Sequence, residues 1–377
     1  VGTLTSWQFI AMPFNSSYAS SYAMKTDGTF WSWGDYNSTG YGSSQFTPTY
    51  SATYFSTFNN FLSFSASSHC LLVKSDRTLV SWGNNGSMQL GLGHTITLNT
   101  PQNVGSATSW SIVAAGTNFS LAILTNGSLW SWGDGTFGQL ASGGTGTRSY
   151  PAQVGTLTDW AIISAGYRHS LALKTDGTLW AWGEGANGKL GDGSATTKSS
   201  PVLVSSLTDW QTISAGFDFS AAIKTDGTLW AWGANSYGCF EDNVATRSSP
   251  IQIGTNTNWS EIRAGSGVMV GRKSDGTIWT AGGGDSYGVT GVLNRTSSPS
   301  QVGSLTDWYK ITNTDQCSGA IKTDGSLWTW GNNGYGELGN GTKAGKYSPS
   351  QVGALTDWSD ISYGYYQTHA LALKTNG

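Results

Sequence analysis

The sequence predicts an all-β fold, a seven-bladed β-propeller built from repeats of about 50 residues. First, all 19 tryptophans of the 377-residue chain fall on three registers of the repeat. Second, an Asp-Gly or Asn-Gly hairpin turn recurs at the same place in all copies but one. Third, a short strand that alternates bulky and small side chains ends at a glycine in each copy, which suits sheets that pack in series.

The tryptophans define the repeat. The first register, mostly written L-T-x-W, consists of Trp7, Trp110, Trp160, Trp210, Trp259, Trp308 and Trp358. The second consists of Trp31, Trp130, Trp180, Trp230, Trp279 and Trp328, and the third of Trp33, Trp82, Trp132, Trp182, Trp232 and Trp330. No tryptophan is left over for a site that only one copy could build, so the aromatic content is architectural.

One clear copy runs from Asp159 to Val204 and contains four predicted strands, A to D. Strand A is the apolar run 160–166, which ends at glycine, and strand B is 169–174. Strand C is 179–183, and a polar loop leads from it to a short strand D at 201–204. Strand D opens with proline, which is tolerated where no backbone donor is needed.

The turn between strands B and C is the strongest local signal. A type I′ turn needs positive φ at both central positions, which favours Asp-Gly and Asn-Gly. The turn residues are Asp27-Gly28, Asp76-Arg77, Asn126-Gly127, Asp176-Gly177, Asp226-Gly227, Asp275-Gly276, Asp324-Gly325 and Asn376-Gly377. Arg77 is the one departure from glycine, so the sequence predicts a strained or altered turn in that copy.

Strand C explains the stacking of the sheets. Successive side chains of a strand point to opposite faces, so Trp180 and Trp182 share one face, while Leu179 and Ala181 share the other. We expect the indoles of one sheet to lie against the small residues of the next. Each buried indole removes about 150–250 Å² of surface from contact with water. One four-stranded unit cannot bury such area alone, so the units are expected to close into a ring.

The strand count leaves one strand pair over. The chain contains seven copies of strands C and D but eight A–B pairs. We therefore predict a single propeller domain over residues 1–377, with seven repeats and a partial eighth at 353–377, and with both ends falling inside a repeat. The surplus pair would overlap the ring closure, dock elsewhere, or belong to an eighth blade.

Composition excludes several classes of protein. Only 11% of residues are charged and the formal net charge is −3, which does not fit a nucleic-acid partner. No apolar run approaches the roughly 18 residues of a membrane helix, so no membrane insertion is expected. The three cysteines occupy different registers of the repeat, so they predict packed thiols rather than a disulfide framework.

Several spaced motifs recur together along the whole chain. They are W-x-W-G, G-x-x-G-Q-L-G, S-P-x-Q-V and I-x-A-G-x-x-H-S-L-A-L-K-T-D-G, seen for example around Trp132, Gln139, Gly166 and Trp330. This pattern resembles the regulator of chromosome condensation repeat family. The resemblance implies a ring of seven four-stranded blades. The form K-T-D-G-T-L-W-A-W-G looks most like repeats of bacterial surface proteins and of phage virion or tail-associated proteins.

The same resemblance supplies an alternative function. Founding members of the family are nucleotide-exchange factors for a small GTPase, and they also bind chromatin. They act through an inserted β-wedge and a basic N-terminal tail. Neither feature is visible in this sequence, so no exchange residue is carried over.

The motifs that could carry chemistry fit structural roles better. The segments 133–138 and 183–188 match G-x-G-x-x-G, but polar loops follow them instead of the helix that a dinucleotide site requires. His69, His169 and His369 share one register, in which other copies carry Ser20, Phe119, Phe219, Val268 and Cys317. A position that accepts Phe and Val is a packing position, so a structural role is predicted. We therefore predict no catalytic, cofactor-binding or metal-ligating residues, no cofactor, and no enzyme activity.

One set of charges stands out from the repeat. Five basic residues lie three or four positions before the loop proline in consecutive copies: Arg148, Lys198, Arg247, Arg295 and Lys346. In a ring they would mark an arc of positive charge that docks an anionic partner or glycan. The alternative is solvated charge, paired with the aspartates of the L-T-D-W turns. Those aspartates are Asp159, Asp209, Asp307 and Asp357.

The leading hypothesis is a non-enzymatic structural or binding propeller whose variable loops bind a protein or glycan. We expect it to be extracellular or virion-associated, and the hypothesis allows it to be part of a larger chain or assembly. The most divergent loops run from Gly34 to Tyr50, from Cys239 to Arg247 and from Gly282 to Thr296. The alternatives are a regulator of a small GTPase and a lectin-like propeller.

Overall fold

The computed structural model describes residues 7–11, 20–34, 49–57, 61–240, 244–283, 290–291, 296–314, 316–363 and 370–376. These residues confirm the predicted all-β propeller with a surplus strand pair. They form seven antiparallel sheets of four strands and one sheet of two strands. Within each four-stranded sheet, or blade, the strands lie side by side in chain order, A to D.

The strands are numbered along the chain. Blade 1 contains β1 (Trp7–Ala11), β2 (Ser20–Lys25), β3 (Thr29–Gly34) and β4 (Thr49–Thr57), and blade 2 contains β5 (Phe61–Ala66), β6 (His69–Lys74), β7 (Leu79–Gly83) and β8 (Leu98–Asn103). Blade 3 contains β9 (Trp110–Ala115), β10 (Phe119–Leu124), β11 (Leu129–Gly133) and β12 (Arg148–Gln153), and blade 4 contains β13 (Trp160–Ala165), β14 (His169–Lys174), β15 (Leu179–Gly183) and β16 (Lys198–Ser205). Blade 5 contains β17 (Trp210–Ala215), β18 (Phe219–Lys224), β19 (Leu229–Ala234) and β20 (Thr246–Gln252), and blade 6 contains β21 (Trp259–Ala264), β22 (Val268–Lys273), β23 (Ile278–Gly282) and β24 (Thr296–Gln301). Blade 7 contains β25 (Trp308–Asn313), β26 (Cys317–Lys322), β27 (Leu327–Gly331) and β28 (Lys346–Gln351), and the eighth sheet contains β29 (Trp358–Tyr363) and β30 (Ala370–Lys374). A single 3₁₀ turn, Ala186–Gly188, lies in the described part of the C–D loops, and no described helix is long and apolar enough to cross a membrane.

The surplus pair occupies an eighth position in the ring. Strand β29 packs against β25 and β26 of blade 7, and β30 packs against β1 of blade 1. Ile10, Ala23 and Leu373 form a small apolar cluster at this junction. The A strands of all eight sheets line one central channel with a volume of about 600 Å³. The alternative that the surplus pair docks elsewhere is therefore wrong.

The hydrophobic core lies between blades. At the junction of blades 3 and 4, Trp182 and the half-buried Trp180 lie in one cluster with Leu121, Ile123 and Leu129 of the preceding blade. The indoles of one sheet do face the opposite side of its neighbour, as predicted. That side, however, is filled mainly by Leu and Ile, so the small residues of strand C are only part of the surface.

The tryptophans also contact one another within a blade. Trp160 lies edge-on to Trp180 and Trp182, with ring centroids 6.0 and 6.1 Å apart. The fully buried Trp182 donates its Nε1 hydrogen to the backbone oxygen of Gln139 in blade 3, at 2.8 Å. Trp132 and Trp232 make the same bond to the preceding blade. The third register therefore ties each of these blades to the loop before it.

The hairpin turns have left-handed backbone at one position, the glycine, and not at the Asp or Asn before it, so the predicted type I′ geometry is wrong. Gly177 has a φ of 79° and its N–H donates to the Lys174 oxygen at 3.0 Å. Arg77 has a φ of 64° and makes the equivalent bond to the Lys74 oxygen at 2.9 Å. The turn with arginine is thus the same turn in a strained form rather than an altered one.

The cysteines are packed thiols, as predicted. Cys70, Cys239 and Cys317 are all buried thiols that form no disulfide. Burial raises the pKa of the Cys70 thiol to about 12. This thiol is therefore a packing group rather than a nucleophile at neutral pH.

Candidate binding surface

The propeller has two faces with different characters. The hairpin face carries the B–C turns and the D–A loops, for example residues 175–178 and 206–209. The loop face carries the A–B turns and the C–D loops, for example residues 166–168 and 184–197. Each face is built from equivalent segments of successive blades, so differences between blades can be compared position by position.

The hairpin face repeats one cluster. In blade 4 the Lys174 ammonium lies 5.1 Å from the ring centre of Trp160, 4.6 Å from that of Trp180, and 3.3 Å from the Asp159 carboxylate. Lys224 and Lys322 have the same surroundings in blades 5 and 7. This cluster joins strands A, B and C of one blade and is structural.

The structure places the predicted basic arc on the loop face. Its described members lie at the first or second residue of strand D, opposite the glycine at or next to the end of strand C; these pairs are Gly133 with Arg148, Gly183 with Lys198, Gly233 with Arg247 and Gly331 with Lys346. Arg295 lies outside the described residues. The Lys198 ammonium is 3.2 Å from Asp192 in its own C–D loop. Arg148 donates a long hydrogen bond of 3.4 Å to Ser131 Oγ.

The pairing offered as the alternative for this arc is wrong. The aspartates of the L-T-D-W turns lie on the hairpin face, at the other ends of the strands. They pair with the hairpin lysines instead, at 3.1 to 3.4 Å: Asp159 with Lys174, Asp209 with Lys224, Asp307 with Lys322 and Asp357 with Lys374. The basic arc and these carboxylates are separated by the length of a blade.

Most of the first and third divergent loops, and positions 241–243 of the second, lie outside the described residues. Positions 35–48, 241–243, 284–289 and 292–295 are not described. Their proposed contacts therefore stay predictions.

An aromatic patch that the sequence analysis missed lies on the loop face of blades 3 to 5. It consists of Phe137, Tyr167, Arg168 and Phe217. The rings of Tyr167 and Phe217 stack with centroids 3.9 Å apart and an interplanar angle of 17°. The Arg168 guanidinium lies 4.1 Å from the ring centre of Phe137 and 4.7 Å from that of Tyr167. All four side chains remain partly open to solvent.

Backbone contacts between neighbouring A–B turns hold the patch. The Tyr167 N–H donates to the Gly216 oxygen at 3.2 Å, and the Phe217 N–H donates to the Gly265 oxygen at 3.1 Å. Because each turn is bonded to the next blade, the two rings are brought into register by the ring of blades itself. The two residues after the glycine of strand A vary between copies, as in Thr117-Asn118, and this variation is the sequence signal that could have located the patch.

A buried cation supports the patch from below. Lys189 is inaccessible to solvent, and its ammonium donates to Glu184 at 2.8 Å and to Asp218 at 2.6 Å. Glu184 also lies 3.7 Å from Arg168 Nη1. The two carboxylates, of which Glu184 also faces Arg168, compensate for the cost of burying Lys189. The network fixes Arg168 between the rings.

The two described histidines of the shared register join blades. His69 Nε2 lies 2.6 Å from Ser120 Oγ, and His169 Nε2 lies 2.9 Å from Ser220 Oγ, each across a junction to the next blade. Both are fully buried, and this burial lowers the pKa of each imidazole to about 3. His369 lies outside the described residues. Within the described chain, no group of three or more His, Cys, Asp or Glu could hold a metal ion.

The central channel uses its polar groups to join strands. Ser164 Oγ accepts the N–H of Ala215 at 3.0 Å, and Ser214 Oγ accepts that of Ala264 at 2.9 Å. Near the closure, Lys310 and Asp360 form an ion pair of 2.6 Å. The serine bonds satisfy backbone N–H groups at the inner edges of the A strands. The described channel wall therefore holds neighbouring blades together and is part of the scaffold.

Sequence comparison identifies the repeat. A family profile described as "Regulator of chromosome condensation (RCC1) repeat" matches residues 78–123, 126–173, 176–223 and 324–371, about half of the chain, and a second RCC1-repeat profile matches 110–139, 160–189 and 210–239. The chain belongs to the RCC1 repeat family. Each match of the first profile begins near strand C of one blade and ends near strand B of the next. The RCC1 sequence repeat is therefore offset from the blade, and every repeat bridges two blades.

Solved structures share the fold. Human WBSCR16 matches with 18% identity and a TM-score of 0.73, over 89% of this chain and 96% of that chain. Prp20p from Saccharomyces cerevisiae matches with 18% identity and a TM-score of 0.70, over 94% of this chain and 91% of that chain. Yeast RCC1 (Prp20) bound to Kap60 matches with 19% identity and a TM-score of 0.68, over 84% and 81%. No curated protein sequence matches significantly.

Proposed function

We propose that this RCC1-repeat propeller is a non-enzymatic binding module that docks a protein partner on its loop face and is displayed outside a bacterial cell or on a virion. The aromatic patch carries the proposal. Stacked Tyr and Phe rings with an arginine held between aromatics supply the residue types that dominate binding energy at protein interfaces. The patch is rigid before binding, which reduces the entropy lost on association.

Four further observations support this function. The side chains of the patch differ from those at the same positions of other blades, whereas the packed side chains beneath it recur from blade to blade. The exposed residues Tyr335, at 74% exposure, and Tyr150, at 62%, extend the aromatic character to other parts of the loop side. The buried histidines have pKa values near 3 and no access to solvent, so they are unsuited to acid–base catalysis. The low charged fraction of 11% suits an exported or particle-associated β protein.

The family offers a GTPase regulator as the alternative. Prp20p has been studied for its binding to Gsp1p and histones, but at 18% identity its likeness to this chain concerns the fold alone. No described feature favours a GTPase over another protein. The experiment therefore also tests for binding to small GTPases and to glycans.

The experiment compares two variants of the full chain. One replaces Tyr167, Arg168 and Phe217 by alanine on the loop face. The matched control replaces Leu157 and Leu207, exposed at 44% and 42% on the hairpin face, by alanine. Immobilised chains are offered bacterial envelope proteins and virion proteins, nucleotide-free small GTPases, and a glycan array.

We expect a protein from the envelope or virion set to bind the parent chain and the control variant and to lose at least about tenfold in affinity with the patch variant. Equal binding by all three chains would place recognition elsewhere. Selective capture of a nucleotide-free GTPase would establish the regulator instead. Glycan binding without a protein partner would establish the lectin.

A further inference from the structure

The central channel has one position at which a single blade differs from all the others. In blades 2 to 7 and in the eighth sheet, the second-to-last residue of strand A lines the channel. This residue is Ser, Thr or Ala except in blade 6, where it is Arg263. The Arg263 side chain is 59% exposed. The packing of the other blades needs no long side chain at this level, so the repeat does not explain this guanidinium.

The charged groups around Arg263 favour an anion in the channel. Arg263 Nε and Nη2 donate to one carboxylate oxygen of Glu261, at 3.3 and 3.1 Å, and no described residue accepts a hydrogen bond from Nη1. The second oxygen of Glu261 lies 3.6 Å from Arg272 Nε, and Lys310 pairs with Asp360 at 2.6 Å. Three cations therefore share two carboxylates in this cluster, which leaves a positive charge beside the lumen.

Serine hydroxyl groups supply further donors on the channel wall. Ser214 Oγ accepts the N–H of Ala264, the residue next to Arg263, and Ser164 Oγ accepts that of Ala215. Because each oxygen is the acceptor in its bond, the hydroxyl hydrogen is left for another partner, and no described residue accepts it. These serines therefore hold the scaffold with their oxygen and can bind a ligand with their hydrogen.

The opposite side of the channel is apolar. In a ring of eight sheets, blades 6 and 7 and the eighth sheet lie across from blades 2, 3 and 4. The channel-lining residues of blades 2 to 4 carry no charge and include Phe64, Val113 and Ile163. Phe64 and the neighbouring Phe9 are half-buried, and their rings meet edge-on with centroids 5.4 Å apart. The volume of about 600 Å³ lies in the range of small-molecule sites.

The geometry points to the central channel as a binding site for a small amphiphilic carboxylic acid. Its carboxylate accepts hydrogen bonds from Arg263 Nη1 and from the Ser214 hydroxyl, and its apolar body packs against Phe9 and Phe64. Hydrogen bonds between a guanidinium and a carboxylate are stronger than those between neutral groups, so the charge of the acid contributes to affinity. This site lies on the axis of the ring and does not depend on the proposed loop-face site.

Isothermal titration calorimetry of the full chain with 4-phenylbutyrate tests the site. Two further probes separate the halves of the ligand, because 4-phenyl-1-butanol lacks the charge and acetate lacks the apolar body. Arg263→Gln removes the guanidinium from the channel, and Arg148→Gln makes the same change of charge on the outer strand of blade 3. Ala114→Leu narrows the lumen from its apolar side and leaves Arg263 in place.

The loop-face variant without the side chains of Tyr167, Arg168 and Phe217 is a second control, because it removes the other arginine that lies beside aromatic rings. Thermal denaturation of each variant shows that it is folded. A loss of binding that appears only in the loop-face variant would assign the acid to that face and overturn the channel site.

We expect 4-phenylbutyrate to bind the parent chain, Arg148→Gln and the loop-face variant equally, and to bind Arg263→Gln and Ala114→Leu at least about tenfold more weakly. The parent chain should bind the alcohol and acetate more weakly by a similar factor. Absence of 4-phenylbutyrate binding to the parent chain would overturn the proposal, and so would equal binding by Arg263→Gln. Equal affinity for acetate would contradict the apolar half of the site.

Discussion

The hairpin face and the loop face are built from the same strands, yet they differ in how closely they follow the repeat. On the hairpin face, blades 4, 5 and 7 all place a lysine between two tryptophans and beside an aspartate. On the loop face, the two residues just before strand B change from Thr117-Asn118 to Tyr167-Arg168 and Phe217-Asp218 in successive blades. A position that every blade needs for packing cannot also distinguish one blade from another. Recognition is therefore to be sought where the blades differ.

The largest expected effect lies in the repeated interior. Trp182→Ala removes a fully buried indole and its hydrogen bond to the preceding blade, so we expect a loss of about 3–5 kcal/mol in the free energy of unfolding. Trp180→Ala is the matched control, because Trp180 lies on the same strand but is only half-buried and bonds to Thr178 in its own turn. Chemical denaturation measures both. Equal losses would contradict the assignment of the third register as the tie between blades.

The next effect concerns acid stability and compares blades that carry His with blades that carry Phe in the same register. His69 and His169 have pKa values of about 3 when folded, against about 6.5 when unfolded. The unfolded chain therefore takes up protons first as the pH falls. Stability is complete above pH 6.5 and decreases toward about pH 3, by about 1.4 kcal/mol per pH unit for each histidine.

The test replaces both histidines by phenylalanine, which Phe119 and Phe219 show to be accepted in this register. Between pH 6.5 and 4.5 each histidine is expected to cost about 2–3 kcal/mol in the parent chain. The double variant should lose only the part due to carboxylates such as Asp176, whose pKa is held low by hydrogen bonds from Thr178. Parallel acid denaturation curves for the two chains would refute this account.

The repeated strands and turns could be predicted from the sequence, whereas contacts between side chains of different blades could not. The strands, the hairpins and the nesting of sheets follow from local periodicity, and the structure confirms them. Tyr167 and Phe217 are 50 positions apart and stack only because adjacent A–B turns meet on one face. The alternative that paired Asp159 with the basic arc is wrong because the direction of the strands puts that arc at the opposite end of the blade, and Asp159 pairs with Lys174. The place of the surplus pair depends on how the ring closes, which the repeat alone does not determine.

A smaller effect is expected at the one turn that departs from glycine. Arg77→Gly relieves a left-handed arginine, so we expect a gain of about 0.5–1 kcal/mol after the extra entropy of glycine in the unfolded chain. The matched control is Gly127→Ala in the next blade, where a Cβ would collide with the Thr158 oxygen and must destabilise. Thermal denaturation of both variants measures the difference. Loss of stability in Arg77→Gly would show that the arginine side chain contributes more than its backbone strain costs.

The smallest effect is expected at the exposed residues of the loop face. Tyr335 is 74% exposed in the C–D loop of blade 7, so Tyr335→Ala should change the free energy of unfolding by no more than about 0.5 kcal/mol. Leu338, three residues further along the same loop, is 1% exposed, and its replacement by alanine should cost about 2–5 kcal/mol. Denaturation of the two variants separates the exposed positions of a loop, which are free to vary for binding, from the position that anchors it to the core. If Tyr335→Ala were as destabilising as Leu338→Ala, the loop tip would belong to the scaffold, and the contrast between the two faces would no longer locate recognition.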